Sequence, residues 1–208
     1  LPISGEAVLY ELELDAGDAG VVTRRVGFKQ IRWLPCPGAP AGADPWVCEI
    51  NGQPTFLQGV NWTPIRPYFA DVTEPEYRAR LESYRNIGCN VLRVWGGASL
   101  EAECFYRLCD ELGLRLWQEF PLSSSGLNNT PPADAESIAE MERIADHYLR
   151  ELSGHAALLA WSGGNELQRG PDGGTEGCGR PCTVAEPMLT MLHERVSRRD
   201  PSHRFMAT

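Results

Sequence analysis

Lysine is almost missing from this sequence. Lys29 is the only one among 208 residues, and Lys and Arg together number 19 against 28 Asp and Glu, a formal charge of −9. No basic run interrupts that balance. A nucleic-acid surface needs clustered cations to meet phosphates, so nucleic acid is excluded as a partner. Long hydrophobic runs are missing too. The longest, Ala156-Ala157-Leu158-Leu159-Ala160-Trp161, falls far short of the roughly 20 apolar residues of a membrane span, and the first residues show no charged region followed by an apolar one. The sequence therefore specifies neither a membrane partner nor a secretion signal. Cysteine lacks framework spacing: the seven residues are an odd number, and Cys36, Cys48, Cys89, Cys104 and Cys109 are scattered. These read as small core residues in a reducing compartment, which favours the cytoplasm. Cys178 and Cys182, in Cys-Gly-Arg-Pro-Cys, sit in a Gly-rich loop. Zinc would want two further ligands and only His193 is near, so no metal is assigned and the pair reads as a loop disulfide or free thiols.

What is present is an ordinary core-forming composition, 42% hydrophobic and 23% charged. Residues 7 to 14 and 20 to 33 are β-rich, with turn chemistry in Asp15-Ala16-Gly17-Asp18-Ala19-Gly20, and predict a β-hairpin that must join a larger sheet to be stable. Residues 35–45, dense in Pro, Gly and Ala, read as a linker. Residues 1–34 would then be the end of one domain and 46–208 part of another.

From residue 46 the pattern alternates. Apolar runs at 55–60, 89–95, 114–120, 157–161 and 204–207 predict strands, and helix-period segments lie between them. Thr73-Glu-Pro-Glu76 is a capping box opening a helix with Tyr77, Leu81, Tyr84 and Ile87 on one face, stopped by Gly88. Phe105, Leu108, Cys109 and Leu112 mark a second, stopped by Gly113. A third runs from Asp134 to Leu152 with Ile138, Met141, Ala145, Tyr148 and Leu152 on its stripe. A fourth starts at the capping box Thr183-Val-Ala-Glu186 and carries Leu189, Leu192 and Val196. Strand–helix alternation predicts right-handed crossovers and a parallel sheet. No Gly-x-Gly-x-x-Gly follows the first strand, so no dinucleotide cofactor is assigned. Polar and aromatic residues crowd the C-terminal strand ends, as at a barrel active site. The fold class is therefore α/β, the N-terminal half of a (β/α)8 TIM barrel, which five strands do not close; a sequence truncated at Thr208 is expected.

The strand ends carry Asn61-Trp62, Arg93-Val-Trp95, Gln118-Glu119 and Asn165-Glu166. Glu166, after an apolar strand and Ser162-Gly163-Gly164, is placed where desolvation against Trp161 would raise a carboxyl pKa and suit a general acid. Arg93 sits inside an apolar run, with a surface ion pair the alternative to a functional role. Trp62, Trp95 and Trp117 offer rings to stack on a ligand's apolar face, with core packing the alternative for each. His147, on a helix, and His155, before the fourth strand at the opposite face, are structural.

Five segments resemble the successive strand motifs of glycoside hydrolase family 2, β-mannosidase branch, in order and at similar spacing: Phe56-Leu-Gln-Gly-Val-Asn-Trp62, Asn90-Val-Leu-Arg-Val-Trp-Gly-Gly97, Phe105-Tyr-x-Leu-Cys-Asp-Glu-Leu-Gly113, Leu116-Trp-Gln-Glu-Phe120 and Trp161-Ser-Gly-Gly-Asn-Glu166. Arg25-Val-Gly-Phe28 similarly resembles the last strands of the immunoglobulin-like β-sandwich preceding the barrel. The resemblance implies a retaining, exo-acting β-glycosidase on a terminal β-linked sugar. Glu166 would be general acid/base, Asn165 would bond the sugar's 2-hydroxyl, and Arg93 would hold the nucleophile ionised. That nucleophile would come from the seventh strand, outside this chain. Glu119 matches a substrate-contacting acidic position that is usually Asp in Trp-Gln-Asp-Phe, a departure that makes exo-β-glucosaminidases the alternative. A non-catalytic carbohydrate-binding relative is a third reading. An aldolase is disfavoured because Lys29, the one lysine, precedes the barrel. Unclosed sheet edges predict a homo-oligomer or a need for further strands.

Overall fold

Five apolar runs pair into one parallel sheet in the computed structural model, which describes residues 7–124, 128–174 and 179–208. In chain order the strands are β1 (Tyr10–Asp15), β2 (Val21–Val26), β3 (Ile31–Leu34), β4 (Val47–Ile50), β5 (Gln53–Pro54), β6 (Gly59–Trp62), β7 (Val91–Val94), β8 (Arg115–Glu119), β9 (Leu158–Ser162), β10 (Gln168–Arg169), β11 (Arg180–Pro181) and β12 (Arg204–Met206). The helices are α1 (Glu74–Asn86), α2 (Glu103–Leu112), α3 (Ala135–Leu152) and α4 (Pro187–Arg199). The parallel sheet runs β12-β9-β8-β7-β6, one helix crossing between each neighbouring pair. This is a (β/α)8 arrangement carried through five strands.

The helices form where capping and apolar spacing agree. At α1 the Glu76 carboxylate accepts from Thr73 N at 2.9 Å, and at α3 Asp134 Oδ1 accepts from Ser137 N at 2.9 Å. Gly113, at φ 72, ends α2 in the left-handed conformation that glycine adopts at no steric cost. Two details differ from expectation. Ile87 lies past the end of α1 and is exposed, because the chain turns away there. The fourth helix starts at Pro187 rather than at Thr183, since Glu186 is drawn into an ion pair with Arg169 instead of closing a capping box.

The domain division drawn from composition is not where the strands divide. β3, expected to end the first unit, pairs antiparallel with β4 across residues 35–45, and β4 pairs with β5. The Pro/Gly-rich segment is thus a long hairpin connection inside one sheet. Cys48 and Ile50 of β4 pack with Leu159 and Ala160, so this small sheet plugs the barrel's N-terminal end. Ahead of β3, β1 and β2 form a ladder of their own, Tyr10 opposite Val26 through Asp15 opposite Val21, nearly all of it exposed.

Strand parity sorts the main sheet into two faces. Trp62, Val94 and Gln118 lie in register on the outer face, under α1 and α2, and Asn61, Arg93 and Trp117 lie in register on the inner face. Between β8 and β9 the register slips near Leu116 and Trp117, which brings Trp161 level with Gln118 on the outer face. Leu92, Leu108, Leu116 and Trp161, all essentially inaccessible, anchor the main core there. Truncating one such leucine to alanine costs roughly 2–5 kcal/mol.

Candidate active site

The inner face ends in a linked polar cluster. Arg93, from β7, is its centre: Nε donates to Glu119 Oε1 at 3.0 Å, Nη1 to Asn61 Oδ1 at 3.1 Å and Nη2 to Asn165 Oδ1 at 2.8 Å. Its Nη2 also stands 2.6 Å from Glu119 Oε1, and its guanidinium lies 5.6 Å from the Trp117 ring centroid. Three strands and the loop after a fourth are therefore fixed to one side chain whose planar fork cannot bend to fit alternatives. Glu119 is 1% exposed, and its second oxygen accepts from Gly96 N at 2.7 Å. Burial raises the Glu119 pKa above the ordinary carboxylate value, against the opposing pull of the Gly96 N–H and of Arg93.

Asn165 and Glu166 follow β9 through two glycines whose role is close approach. A Cβ on Gly163 would lie 2.4 Å from Ala207 O, and one on Gly164 would lie 2.5 Å from Leu122 O. The left-handed residue is Glu166 itself, at φ 51. A non-glycine residue held there costs of order 1–2 kcal/mol and needs fixed surroundings. Those are present: Asn165 N donates to Leu122 O at 2.9 Å, Ser124 N to Asn165 O at 3.0 Å and Leu167 N to Thr208 Oγ1 at 2.8 Å. The twist aims the Glu166 side chain outward, where Ser124 Oγ donates to its Oε2 at 2.9 Å. Asn165 is buried, with Nδ2 donating to Ser123 Oγ at 3.2 Å.

No family model matches the chain. It is 32% identical over 163 residues to a β-mannosidase of Capra hircus, covering 78% of this chain and 18% of that protein. It is 36% identical over 155 residues to a β-mannosidase of Rattus norvegicus, covering 74% of this chain and 17% of that protein. A solved β-D-mannosidase from Dictyoglomus thermophilum superposes with a TM-score of 0.79 at 27% identity, over 97% of this chain and 25% of that one. The chain is a β-mannosidase-like sequence of glycoside hydrolase family 2. It spans under a fifth of the curated β-mannosidases it matches. The superposition also settles the fold as the first strands of a (β/α)8 barrel with β-strands ahead of it.

Within this β-mannosidase-like barrel the structure brings Arg93, Glu119, Asn165 and Glu166 to one mouth. Trp95 stands beside them: it precedes Gly96, and its half-buried ring lines a cavity of about 390 Å3 with Pro64, Ile65, Pro67 and Phe69. Trp62 does not join them, which corrects the expectation. It is 3% exposed, packs on Tyr77 and Phe105, and donates from Nε1 to Glu101 at 2.9 Å, because its parity turns it to the helices. The same parity corrects the surroundings expected for Glu166. Trp161 lies on the outer face, stacked on Phe120 with Nε1 on Asp200, and Glu166 is exposed.

Three participants were missed. Asn61 was passed over for its neighbour Trp62, although strand alternation with Arg93 would have chosen it. Ser123 and Ser124 carry no motif, and only the bridge from Ser123 to Asn165 brings them in. Of the cysteine pair, Cys178 lies outside the described residues, and Cys182 is a buried free thiol whose pKa is raised by burial. Cys36, Cys48, Cys89, Cys104 and Cys109 are free as well. Among the described residues no helix is long and apolar enough to cross a membrane.

Proposed function

We propose that this chain supplies the general acid/base side of an exo-acting retaining β-glycosidase acting on terminal β-linked mannose, with Glu166 as the acid/base. The observation that carries the reading is the exposed Glu166 carboxylate, held in a left-handed backbone beside Asn165, whose other contacts are already fixed by Arg93 and Ser123. In the first step Glu166 gives its proton to the glycosidic oxygen as a second carboxylate attacks the anomeric carbon. In the second it takes a proton from the water that displaces that carboxylate. Asn165 Nδ2 keeps one N–H free of Ser123, and this donates to the sugar's 2-hydroxyl. Glu119 is not the attacker: both its oxygens are engaged and it is inaccessible. It anchors Arg93, so its extra methylene relative to Asp is absorbed inside the cluster rather than presented to the sugar. The family resemblance assigns the nucleophile to a later strand than the five present. The cavity beside Trp95 seats the leaving group.

The test is Glu166→Ala in the full-length enzyme. Turnover of a β-mannoside with a poor leaving group falls by about 10²–10⁴-fold, while azide restores turnover on an activated aryl mannoside and yields β-mannosyl azide. Wild-type turnover of the poor substrate by this variant would sink the assignment.

A further inference from the structure

Glu166 is exposed and stands outside the bonds that fix the rest of the mouth. Arg93 directs its donors to Glu119, Asn61 and Asn165, and no ion pair holds Glu166 among the described residues. A glutamate side chain turns about several bonds, whereas a general acid must keep one oxygen aimed at the leaving atom. The polar contact that its carboxyl group does make among the described residues is with Ser124, whose Oγ donates to Oε2 at 2.9 Å. Oε1 has no partner among them and faces the mouth unengaged.

Ser124 is well placed to act as a fixed support. Beyond the ends of β8 and β9 the two backbones stay paired: Ser123 bridges Asn165 in parallel, Asn165 N donates to Leu122 O at 2.9 Å and Ser124 N donates to Asn165 O at 3.0 Å. The Ser124 backbone is thereby tied to the residue just before Glu166, and its short, half-buried side chain turns about a single bond. The two serines divide the pair opposite them. Ser123 Oγ accepts from Asn165 Nδ2 at 3.2 Å, and Ser124 Oγ takes Glu166.

We propose that Ser124 is the positioning residue of the acid/base, holding Glu166 Oε2 so that Oε1 is the oxygen that exchanges the proton. The inference rests on the assignment of Glu166 as acid/base, and it adds the atom that acts and the group that aims it. An unprotonated carboxyl oxygen has no hydrogen to give, so the hydroxyl donates, and it donates to the oxygen that does not carry the proton. In the protonated acid the proton therefore resides on Oε1. In the first step the Oε1–H bond breaks and the proton passes to the glycosidic oxygen as its bond to the anomeric carbon breaks. In the second, Oε1 takes the proton of the attacking water. Ser124 keeps its own proton throughout and acts only through Glu166.

The test compares kcat/KM in the full-length enzyme for methyl β-mannoside, whose leaving group needs the proton, and dinitrophenyl β-mannoside, whose leaving group departs without it. The ratio of the second to the first should rise about tenfold in Ser124→Ala, a fraction of the about 10²–10⁴-fold that a general acid contributes. It should stay near the wild-type value in Ser124→Thr, which keeps the hydroxyl on the same carbon. The ratio cancels the concentration of folded enzyme, so partial unfolding does not mimic the effect. Glu166→Ala should raise it further. If Glu166→Ala leaves the ratio unchanged, the acid assignment falls and Ser124 falls with it. If Glu166→Ala raises it and Ser124→Ala does not, the acid stands and the role of Ser124 is refuted. An equal rise in Ser124→Thr and Ser124→Ala also overturns it, since packing rather than the hydroxyl would then be responsible.

Discussion

The two ends of the parallel sheet spend their charged groups differently. At the mouth, Arg93 gathers Asn61, Glu119 and Asn165, and Glu166 is left exposed beside them on a strained backbone. At the base, Asp110 and Asp200 are each committed to a histidine and to a buried N–H, and β4 closes the centre with Cys48 and Ile50. The base uses carboxylates to hold segments together. The mouth buries one carboxylate and leaves another exposed at its rim. The proton transfer proposed for Glu166 needs a carboxyl group fixed in place yet reachable, and the barrel supplies one only where strands end and loops begin.

That contrast can be broken most severely at Arg93. Arg93→Met strands the buried Glu119 charge and should destabilise the fold by roughly 3–5 kcal/mol, measured by urea unfolding; adding Glu119→Gln should recover part of the loss. No recovery would mean that packing, not charge, accounts for it. Trp62→Phe removes one of two donors to the buried Glu101 and should cost about 1–3 kcal/mol with KM unchanged. A raised KM would return Trp62 to the sugar site. Trp95→Ala should do the reverse, raising KM by about two- to tenfold through loss of roughly 0.5–1.5 kcal/mol of ring contact while the melting temperature holds.

The smallest effect sharpens the comparison, because one carboxylate at each end titrates in an opposite sense. The folded-state pKa of Glu119 is raised, chiefly by burial. Its contribution to stability is therefore complete below the unfolded value of about 4.3 and is lost as pH rises through the folded value. At Asp200 burial pushes the carboxyl up, but the bonds from His203, Trp161 and Ser202 outweigh it and lower the pKa. Its contribution is complete above the unfolded value of about 3.9 and is lost as pH falls through the folded one. Melting temperature against pH should lose part of its acid limb in Asp200→Asn, the rest belonging to Glu76, Glu111 and Asp134, whose pKa values are lowered too. It should lose slope above pH of about 4.3 in Glu119→Gln. The same curve for wild type and both variants would refute the two shifts.

Most elements were legible because their signals are local. The box at Thr73 and the stop at Gly113 act within a few residues, and both are found. Arg93, Asn165 and Glu166 were legible through motif order. The misses are non-local. Residues 35–45 resemble a linker in composition, and nothing short of the β3–β4 pairing shows that they join two strands of one sheet. Thr183 heads a box that is sound in itself, but Arg169 competes for Glu186 from 17 residues away.

The sequence by itself determined the alternation of strands and helices, the family, and which residue types stand at each strand end, since periodicity and caps act over a turn or less. Tertiary structure decided which of those residues face the mouth. Trp62 and Asn61 are adjacent and equally plausible until β6 is registered against β7, and Trp161 changes face because of a one-residue slip against β8. A side chain's partner depends on the parity of a neighbouring strand, and parity is fixed only when the strands meet.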